Sequence, residues 1–315
     1  MSPSVVPVRQ IHDTALFANR AALPLFEQGL SSVDGLQMYY PRVRDRADLQ
    51  VLRCPRSGVI MLDRSDHMGL VHYREQDGFA YWRVANRAEA LARTRRDDLR
   101  RVEQFGHLLR GKRCLDVGAG TGGFLDAARG LARTIAGVEP QPGVRQVLRD
   151  AGHIMYPSCE SVDQTGLDVA TVFHVLEHMT EPVDALSQVR RRLRPGGIVI
   201  VEVPHARDLL LSHFDHAAFK AFTFWSEHLI LHTRASLKLY LELAGFRDVS
   251  VSGHQRYPLA NHLHWLLQNE PGGHERHPEL SNEALDRAYA DQLDTLDATD
   301  TLVAIGVARA PGEHQ

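Results

Sequence analysis

The sequence predicts an α/β fold built on a parallel sheet, and two observations carry this prediction. From residue 111 onwards, short apolar stretches alternate with amphipathic helical stretches, an order typical of βαβ units. The first of these apolar stretches, 113–120, ends in glycines, as a buried parallel strand does where it enters a tight turn. The length of 315 residues allows one large domain with elaborations or two domains.

The alternation assigns the elements of the sheet in chain order. Stretches rich in Val, Ile and Leu predict strands at 113–120, 134–140, 153–159, 167–178, 198–205, 247–255 and 300–310. Stretches rich in Ala, Leu, Arg and Glu predict helices at 84–109, 122–132, 142–152, 182–197, 233–246 and 281–297. We therefore expect one sheet-bearing domain at 104–315, with inserts at about 205–227 and 256–299.

Residues 1–103 lack this alternation and are predicted to form an N-terminal cap region. Within it, two short apolar stretches at 51–64 flank a Cys-Pro-Arg-Ser-Gly turn, which favours a β-hairpin. Because Pro55 and Gly58 interrupt the apolar pattern, we expect the chain to reverse direction there.

The composition indicates an ordinary globular protein and limits the classes of partner that it is expected to bind. The 36 Lys and Arg residues face 39 Asp and Glu, a formal net charge of −3, so no basic excess predicts a nucleic-acid partner. Cys54, Cys114 and Cys159 are too few for a disulfide framework and suit a reducing compartment. No uncharged apolar run is long enough to cross a membrane, and no secretory signal is evident. We therefore expect a cytoplasmic protein with no membrane and no nucleic-acid partner.

A glycine-rich turn follows the first predicted strand and opens a helix. Gly118, Gly120 and Gly123 have the GxGxxG spacing, which lets a ligand approach the backbone where a helix N-terminus offers free N–H groups. Glu139 ends the second strand, where an acid can accept hydrogen bonds from both hydroxyls of a ribose. Asp116 beside the turn would repel a pyrophosphate but suits an ammonium group. These residues favour S-adenosylmethionine over a dinucleotide as the ligand.

The chain resembles the class I S-adenosylmethionine-dependent methyltransferases in four motifs: LDVGAGTGGFL at 115–125, GVEP at 137–140, FHVLEH at 173–178 and LRPGG at 193–197. Within that class it resembles the group that includes ubiquinone-biosynthesis-type and sugar methyltransferases, over roughly residues 104–255. The resemblance implies a Rossmann-like sheet of seven mostly parallel strands, whose last strand, 300–310, is antiparallel and lies beside the fifth. It also implies S-adenosylmethionine as the cofactor.

The resemblance further implies roles for individual residues. The expected cofactor-binding residues are Gly118 and Gly120 against the cofactor, Asp116 near its amino group, Glu139 at the ribose, Glu160 at the adenine, Phe173 and His174 beside the methionine part, and Tyr81 as an aromatic cover.

Two segments offer a histidine as the base that takes a proton from the methyl acceptor. His178 ends the fourth strand, at the edge where ligands bind in open α/β sheets. The segment 225–228 resembles an aromatic-x-Glu-His motif of sugar C-methyltransferases, which implies His228 as the base and Glu227 as its partner. Trp225 stands where that motif has a Tyr, so any role of the Tyr hydroxyl is absent. Both histidines also allow a purely structural interpretation.

Two further patterns concern metals, and neither predicts one. The sugar C-methyltransferases have an N-terminal zinc domain built on Cys pairs, and the hairpin at 51–64 resembles half of such a knuckle, with Ser57 where a second Cys would stand. Because Cys54 is the one cysteine before residue 110, we interpret the hairpin as a zinc ribbon that has lost its metal. Surface or pocket positions are the simpler interpretation of the clustered histidines His213, His216, His228, His232, His262 and His264.

The sequence therefore predicts an enzyme that methylates a small polar metabolite, with a sugar or a nucleotide-linked sugar favoured as the acceptor. O-methylation is favoured over C-methylation, because Trp225 replaces the Tyr and the cysteine-rich element is incomplete. Three alternatives stay open: N-methylation, a C-methyltransferase of a keto sugar, and a non-catalytic partner protein that binds S-adenosylmethionine.

Overall fold

The computed structural model describes residues 18–69, 78–79 and 84–310. Its strands are β1 Gln37–Tyr40, β2 Val51–Arg53, β3 Ile60–Leu62, β4 Arg113–Val117, β5 Thr134–Val138, β6 Ile154–Tyr156, β7 Leu167–Phe173, β8 Leu193–Pro204, β9 Ile230–Leu231, β10 Phe246–His254 and β11 Thr301–Ala308. Its helices of four or more residues are α1 Leu23–Glu27, α2 Arg87–Leu109, α3 Gly123–Ala128, α4 Pro142–Asp150, α5 Pro182–Arg192, α6 Leu209–Ser212, α7 Ala217–Thr223, α8 Arg234–Leu243, α9 Leu259–Gln268, α10 Gly273–Arg276 and α11 Glu283–Thr295.

The larger of two sheets has seven strands in the order β10-β11-β8-β7-β4-β5-β6. Strands β4 to β8 run parallel, whereas β11 is antiparallel to both of its neighbours, β8 and β10. Ile305 of β11 pairs with Ile200 on one side and Ser250 on the other, so β11 is inserted between these two strands. This topology confirms the predicted Rossmann-like α/β fold, including the position of the last strand beside the fifth.

Burial on both faces explains why the central strands are continuous apolar runs. On β8, Val199 and Val201 pack into the core on one face of the sheet, while Ile200 packs into the core on the other. That second core contains Phe105 of α2 and Phe124 of α3. Strand β8 begins at Leu193, five residues earlier than predicted, because Leu193 pairs with Leu167 of β7.

The smaller sheet has the order β1-β2-β3-β9 and joins the N-terminal region to the rest of the chain. Strands β2 and β3 form the predicted hairpin around residues 54–59. Strand β9, from the segment after the first insert, pairs with β3. The Asn19 side chain reinforces this junction by donating to the carbonyl oxygens of Leu62 and Leu229, both at 2.8 Å.

The two predicted inserts contain helices. Helices α6 and α7 lie in the first insert, and α9, α10 and α11 lie in the second. Within the described ranges, no helix is both long enough and apolar enough to cross a membrane. Tyr81 lies outside the described residues.

Candidate active site

A cleft of about 1100 Å³ opens at the carboxyl ends of β4, β5 and β7. Its walls come from the turns after these strands, residues 117–121, 138–141 and 173–181, and from one side of α2. Residues of α7 and α9, from the two inserts, line its outer part. The cleft therefore occupies the sheet edge at which open α/β sheets bind ligands.

The glycine-rich turn after β4 presents bare backbone to this cleft. Gly118 has a φ of 78° and Gly120 a φ of 51°, in the left-handed region that favours glycine. A Cβ added at Gly118 would overlap Cγ2 of Val175, which follows β7. Glycine is therefore required at Gly118 by its conformation and by its neighbour together.

Glu139 lies at the end of β5 and closes the same turn. The backbone N–H of Gly120 donates to its Oε2 at 3.0 Å, and that of Gln141 donates to its Oε1 at 2.9 Å. Burial raises the pKa of Glu139 to about 7, although these two hydrogen bonds oppose the shift. The carboxylate lines the cleft beside the glycine turn, where each oxygen keeps acceptor capacity for a ribose hydroxyl. The site thus fits the nucleoside part of S-adenosylmethionine.

Of the other expected cofactor-binding residues that the structure describes, three line the cleft and one, Asp116, does not. Glu160, Phe173 and His174 line the cleft. The carboxylate of Asp116 instead accepts a hydrogen bond from Thr171 Oγ1 of the neighbouring strand at 2.7 Å, and burial raises its pKa to about 6. Its expected place near the cofactor's amino group stays a prediction.

His178 and His228, predicted from separate segments, come together in the cleft with a carboxylate on either side. Their ring centroids are 5.1 Å apart. His178 Nδ1 lies 3.7 Å from Oε2 of Glu227, and its Nε2 lies 3.8 Å from Oε1 of Glu177. Leu229 donates its backbone N–H to the Glu177 carbonyl oxygen at 2.9 Å, which fixes the two segments side by side. We call these four residues, Glu177, His178, Glu227 and His228, the His–Glu cluster.

Burial and neighbouring groups shift the pKa values of the His–Glu cluster so that its histidines and Glu177 differ in charge. Burial lowers the pKa of His178, and burial with the neighbouring His178 ring holds the pKa of His228 well below its ordinary value. Burial alone would raise the pKa of Glu177, but the hydrogen bond with His174 and the neighbouring imidazoles lower it to about 2. At neutral pH the cluster therefore holds two neutral imidazoles beside an ionised carboxylate.

His174 links the cluster to a buried carboxylate that sequence reasoning missed. It has a φ of 53°, and its Nδ1 lies 3.2 Å from Oε1 of Glu177 while its Nε2 lies 3.1 Å from Oε1 of Glu202. Glu202 is fully buried on β8 and accepts hydrogen bonds from Arg100 and Arg101 of α2, each at 2.8 Å. The one available signal was a charged residue inside the apolar stretch 198–205.

Aromatic side chains from both inserts form the outer part of the cleft. Phe219 and Phe222 of α7 each lie 5.2 Å from the Trp265 ring on α9, centroid to centroid. Arg256 also lines the cleft, and its guanidinium is paired with the carboxylate of Asp97. This part of the cleft therefore combines aromatic walls with an internally neutralised ion pair.

Possible metal ligands occur in the same cluster. Glu177, His178 and His228 offer ligand atoms that all lie within 4.8 Å of one another. The remaining clustered histidines have local partners: His232 Nδ1 lies 3.1 Å from Ser236 Oγ, and His262 Nδ1 lies 2.5 Å from the Tyr289 hydroxyl. In the N-terminal hairpin, Cys54 is buried, and Ser57 pairs with another serine, Ser31, at 2.8 Å.

The chain belongs to a family of methyltransferases. A family model described as "Methyltransferase domain" matches residues 84–251, just over half of the chain. The family and the fold confirm the resemblance to class I S-adenosylmethionine-dependent methyltransferases, with methyl transfer as the activity and S-adenosylmethionine as the cofactor.

Two curated relatives have different named activities. A tRNA U34 carboxymethyltransferase from Pseudoalteromonas translucida is 28% identical over 156 residues, covering 45% of this chain and 47% of that protein. A ubiquinone biosynthesis O-methyltransferase from Thiobacillus denitrificans is 31% identical over 104 residues, covering 29% of this chain and 44% of that protein. The chain thus spans about half the length of the curated relatives that it matches.

These relatives correct one prediction. The exclusion of a nucleic-acid partner is wrong, because several similar proteins are named for a tRNA nucleotide. The physical reason is that a formal net charge of −3 averages over the whole surface, whereas recognition depends on local charge and stacking groups.

The fold is similar to that of a solved structure, a complex between the Haloferax volcanii Trm112 methyltransferase activator and a methyltransferase, with a TM-score of 0.51. The match is 16% identical and covers 77% of this chain and all of that chain. At this identity the similarity shows the fold alone.

Proposed function

We propose that this protein transfers the methyl group of S-adenosylmethionine to a hydroxyl oxygen, with His228 as the base that takes the hydroxyl proton. The observation that carries the proposal is the His–Glu cluster, whose Glu177, His178 and His228 line the same cleft as the glycine turn. His178, which lies in the turn after β7 rather than at the end of the strand as predicted, is the second candidate for the base.

The residues that would hold the cofactor are those of the glycine turn and the adjoining strand ends. Gly118 and Gly120 would contact it through bare backbone, Glu139 would accept hydrogen bonds from its ribose, and Glu160 would lie at the adenine end. When bound, S-adenosylmethionine supplies an electrophilic methyl group on a positively charged sulfur.

The cluster suits proton removal for three reasons. Both imidazoles are neutral at neutral pH, because their pKa values are lowered, so each can accept a proton. The ionised carboxylate of Glu177 lies 3.8 Å from His178 and within 4.8 Å of a ring nitrogen of His228, close enough to stabilise an imidazolium that forms on either ring. Since these pKa values lie below 6.5, we expect the pH dependence of the base to appear only below about pH 6.5.

The charged groups named at this part of the cleft are paired with one another, which favours an uncharged reacting group on the acceptor, such as a hydroxyl. Arg256 is paired with Asp97, and Glu202 is paired with Arg100 and Arg101. No large unpaired charge is therefore evident among these groups to bind an ionic acceptor. The aromatic walls of Phe222 and Trp265 suit the flat or ring-shaped face of a hydroxylated molecule. We propose a sugar, free or linked to a nucleotide, as the acceptor.

A second candidate acceptor is a nucleotide within tRNA, and the named activity of the relatives favours it. Its ring and ribose hydroxyls would meet the same chemistry in the cleft. C-methylation of a keto sugar is the less supported alternative, because Trp225 offers no hydroxyl beside His178 and His228. A non-catalytic role would leave the buried His–Glu cluster without a function.

An acceptor screen tests this proposal. Protein is incubated with S-adenosylmethionine labelled in the methyl group and, in separate reactions, nucleotide-linked sugars, free sugars and unmodified tRNA. We expect label on oxygen in one acceptor class, and label in tRNA alone would select the second candidate. Label on carbon or nitrogen, or turnover that is unchanged in His228→Gln, would overturn the O-methylation mechanism.

We also retain the division of the chain into a cap region at 1–103 and a methyltransferase domain at 104–315 as a proposal, together with a cytoplasmic location. The cytoplasmic location is supported by Cys54, Cys114 and Cys159, which are buried and free.

A further inference from the structure

We propose that the His–Glu cluster binds a divalent transition-metal ion such as Zn²⁺, with Glu177, His178 and His228 as the three protein ligands and Glu227 as the group that orients His178. Metal binding at this site does not depend on which acceptor is methylated. The ion is not a cofactor of methyl transfer, because it would occupy the same imidazoles that are proposed to take the proton.

The spacing of the three side chains suits ligands arranged around one ion. One ligand atom from each of Glu177, His178 and His228 lies within 4.8 Å of those of the other two. A tetrahedral zinc ion with ligand distances of about 2.0–2.2 Å places its ligand atoms about 3.3–3.6 Å apart. Side-chain rotations that move each atom by about 1 Å therefore bring all three onto a single ion.

Two separations between rings and carboxylates in the cluster are too long for hydrogen bonds. His178 Nε2 lies 3.8 Å from Glu177 Oε1, and its Nδ1 lies 3.7 Å from Glu227 Oε2, whereas an N–H···O hydrogen bond spans about 2.7–3.2 Å. Side chains that served only to stabilise the fold would be expected to pair directly. The longer separation between His178 and Glu177 instead leaves room for an ion that both contact.

Two buried polar atoms of the cluster have no hydrogen-bond partner among the residues that the structure describes, Glu177 Oε2 and His228 Nδ1. The Glu177 side chain is fully buried, and its other oxygen, Oε1, lies 3.2 Å from His174 Nδ1. A buried carboxylate oxygen or ring nitrogen without a partner is unfavourable. A metal ion would satisfy both atoms, since each has a lone pair to donate.

Glu227 orients His178 in the way that metal-binding histidines are usually oriented. Its carboxylate flanks Nδ1 of the ring, whereas Nε2 faces Glu177. A carboxylate beside one ring nitrogen favours the proton there and leaves the lone pair of the other nitrogen for the ion. The backbone hydrogen bond from Leu229 to Glu177 holds the two ligand-bearing segments side by side.

The ligand types select a transition metal over Mg²⁺ or Ca²⁺. Two imidazoles and one carboxylate suit Zn²⁺, Co²⁺ and Ni²⁺, whereas Mg²⁺ and Ca²⁺ favour oxygen ligands. Glu177, His178 and His228 all line the cleft, so water can complete the coordination of the ion. Because the site has three protein ligands and an open side, we expect the ion to exchange with solution and to be lost on prolonged dialysis.

Zinc bound at this site should inhibit methyl transfer, a consequence that rests on the proposed function. An ion on one ring nitrogen of His228 leaves the ring hydrogen on the other, so neither nitrogen can take the proton of the acceptor. We therefore expect Zn²⁺ to lower the methyl-transfer rate and a chelator to restore it.

Isothermal titration calorimetry with Zn²⁺ tests the site on protein that has been stripped with a chelator and dialysed into metal-free buffer. Each ligand is removed in turn, in the variants Glu177→Gln, His178→Ala and His228→Ala. Two controls change other potential ligands: His274→Ala, a histidine elsewhere in the cleft wall, and Cys54→Ser, the thiol of the N-terminal hairpin.

We expect one Zn²⁺ per wild-type chain, with a Kd of about 1–10 μM. Each of the three ligand variants should bind Zn²⁺ at least about 30-fold more weakly, and Glu227→Gln about 10-fold more weakly, since it loses only the orienting carboxylate. Both controls should stay within about threefold of wild type. Affinity that no ligand variant lowers, or that the controls lower equally, would overturn the proposal.

X-ray absorption at the zinc edge gives a test on wild-type protein, which no folding defect in a variant can obscure. The loaded protein should show two imidazole nitrogens with oxygen ligands and no sulfur. A sulfur ligand, or fewer than two imidazoles, would overturn the proposal. Zinc that is bound by two imidazoles without inhibiting methyl transfer would support the metal site and contradict His228 as the base. Failure to bind Zn²⁺ would overturn the metal site and leave the proposed function intact.

Discussion

Glu139→Gln should change stability and ligand affinity in opposite directions. The pKa of Glu139 is raised from an ordinary value of 4.5 to about 7 by burial. Because the folded-state pKa lies above the unfolded value, folding favours the protonated form. The stability that this group contributes is complete below pH 4.5 and is lost as the pH rises through 7.

The size of the effect follows from this difference. At about 1.36 kcal/mol per pKa unit, ionisation of Glu139 in the folded protein costs about 3 kcal/mol. Glutamine has nearly the same shape and does not ionise. The free energy of unfolding of Glu139→Gln, minus that of wild type, should therefore rise by up to about 3 kcal/mol between pH 4.5 and pH 8. The glutamine amide also faces the backbone N–H of Gly120 or Gln141, but the cost of that contact does not change with pH.

Urea denaturation of ligand-free protein at several pH values measures the difference in the free energy of unfolding between variant and wild type. Calorimetry with S-adenosylhomocysteine measures the difference in ligand affinity. The variant should bind S-adenosylhomocysteine about 1–3 kcal/mol more weakly, because the ribose loses a charged acceptor. A difference in the free energy of unfolding that does not vary with pH would refute the claim that burial raises the pKa of Glu139. Unchanged affinity would refute its role at the ribose.

Three further predictions concern other parts of the molecule. Gly118→Ala should lower the free energy of unfolding by about 2–4 kcal/mol, from the left-handed φ and the overlap with Val175, and Val175→Ala in the same chain should recover part of the loss in a denaturation series. Phe222→Ala should raise the KM of the acceptor by about 3- to 10-fold, from the lost aromatic contact, with the affinity for S-adenosylhomocysteine unchanged in calorimetry. Purified protein should hold no stoichiometric zinc at Cys54, whose turn offers serine in place of a second thiol. One zinc per chain after dialysis would contradict that expectation and direct attention to the His–Glu cluster.

The sequence predicted the sheet well because the signals for its strands are local. Apolar runs such as 167–173 and the glycines of the turn after β4 determine strand, turn and helix within a few residues. The topology of β11 could not be obtained from periodicity, and it came from the resemblance to a family. Strand β9 was missed because its two residues carry no pattern of their own and form a strand only by pairing with β3.

The candidate site was predicted only in part, because its motifs are local but the contacts that bring them together are not. His178 and His228 stand in motifs that mark them individually, but their proximity depends on the backbone contact between Leu229 and Glu177, which are 52 residues apart. The contribution of α2 to the cleft wall, through residues such as Asp98 and Arg101, was not predicted because charged residues are common on helices. Only the fold shows that this face of α2 lines the cleft.

The most direct test of the central claim is a comparison of methyl-transfer rates in His228→Ala and His178→Ala under single-turnover conditions, with the acceptor that the screen identifies. We expect His228→Ala to lower the rate by about 10²- to 10⁴-fold, the usual contribution of a general base, while the affinity for S-adenosylhomocysteine stays within about threefold of wild type. A near-native rate in His228→Ala would show that His228 is not the base, and a large loss confined to His178→Ala would place the base in the turn after β7 instead.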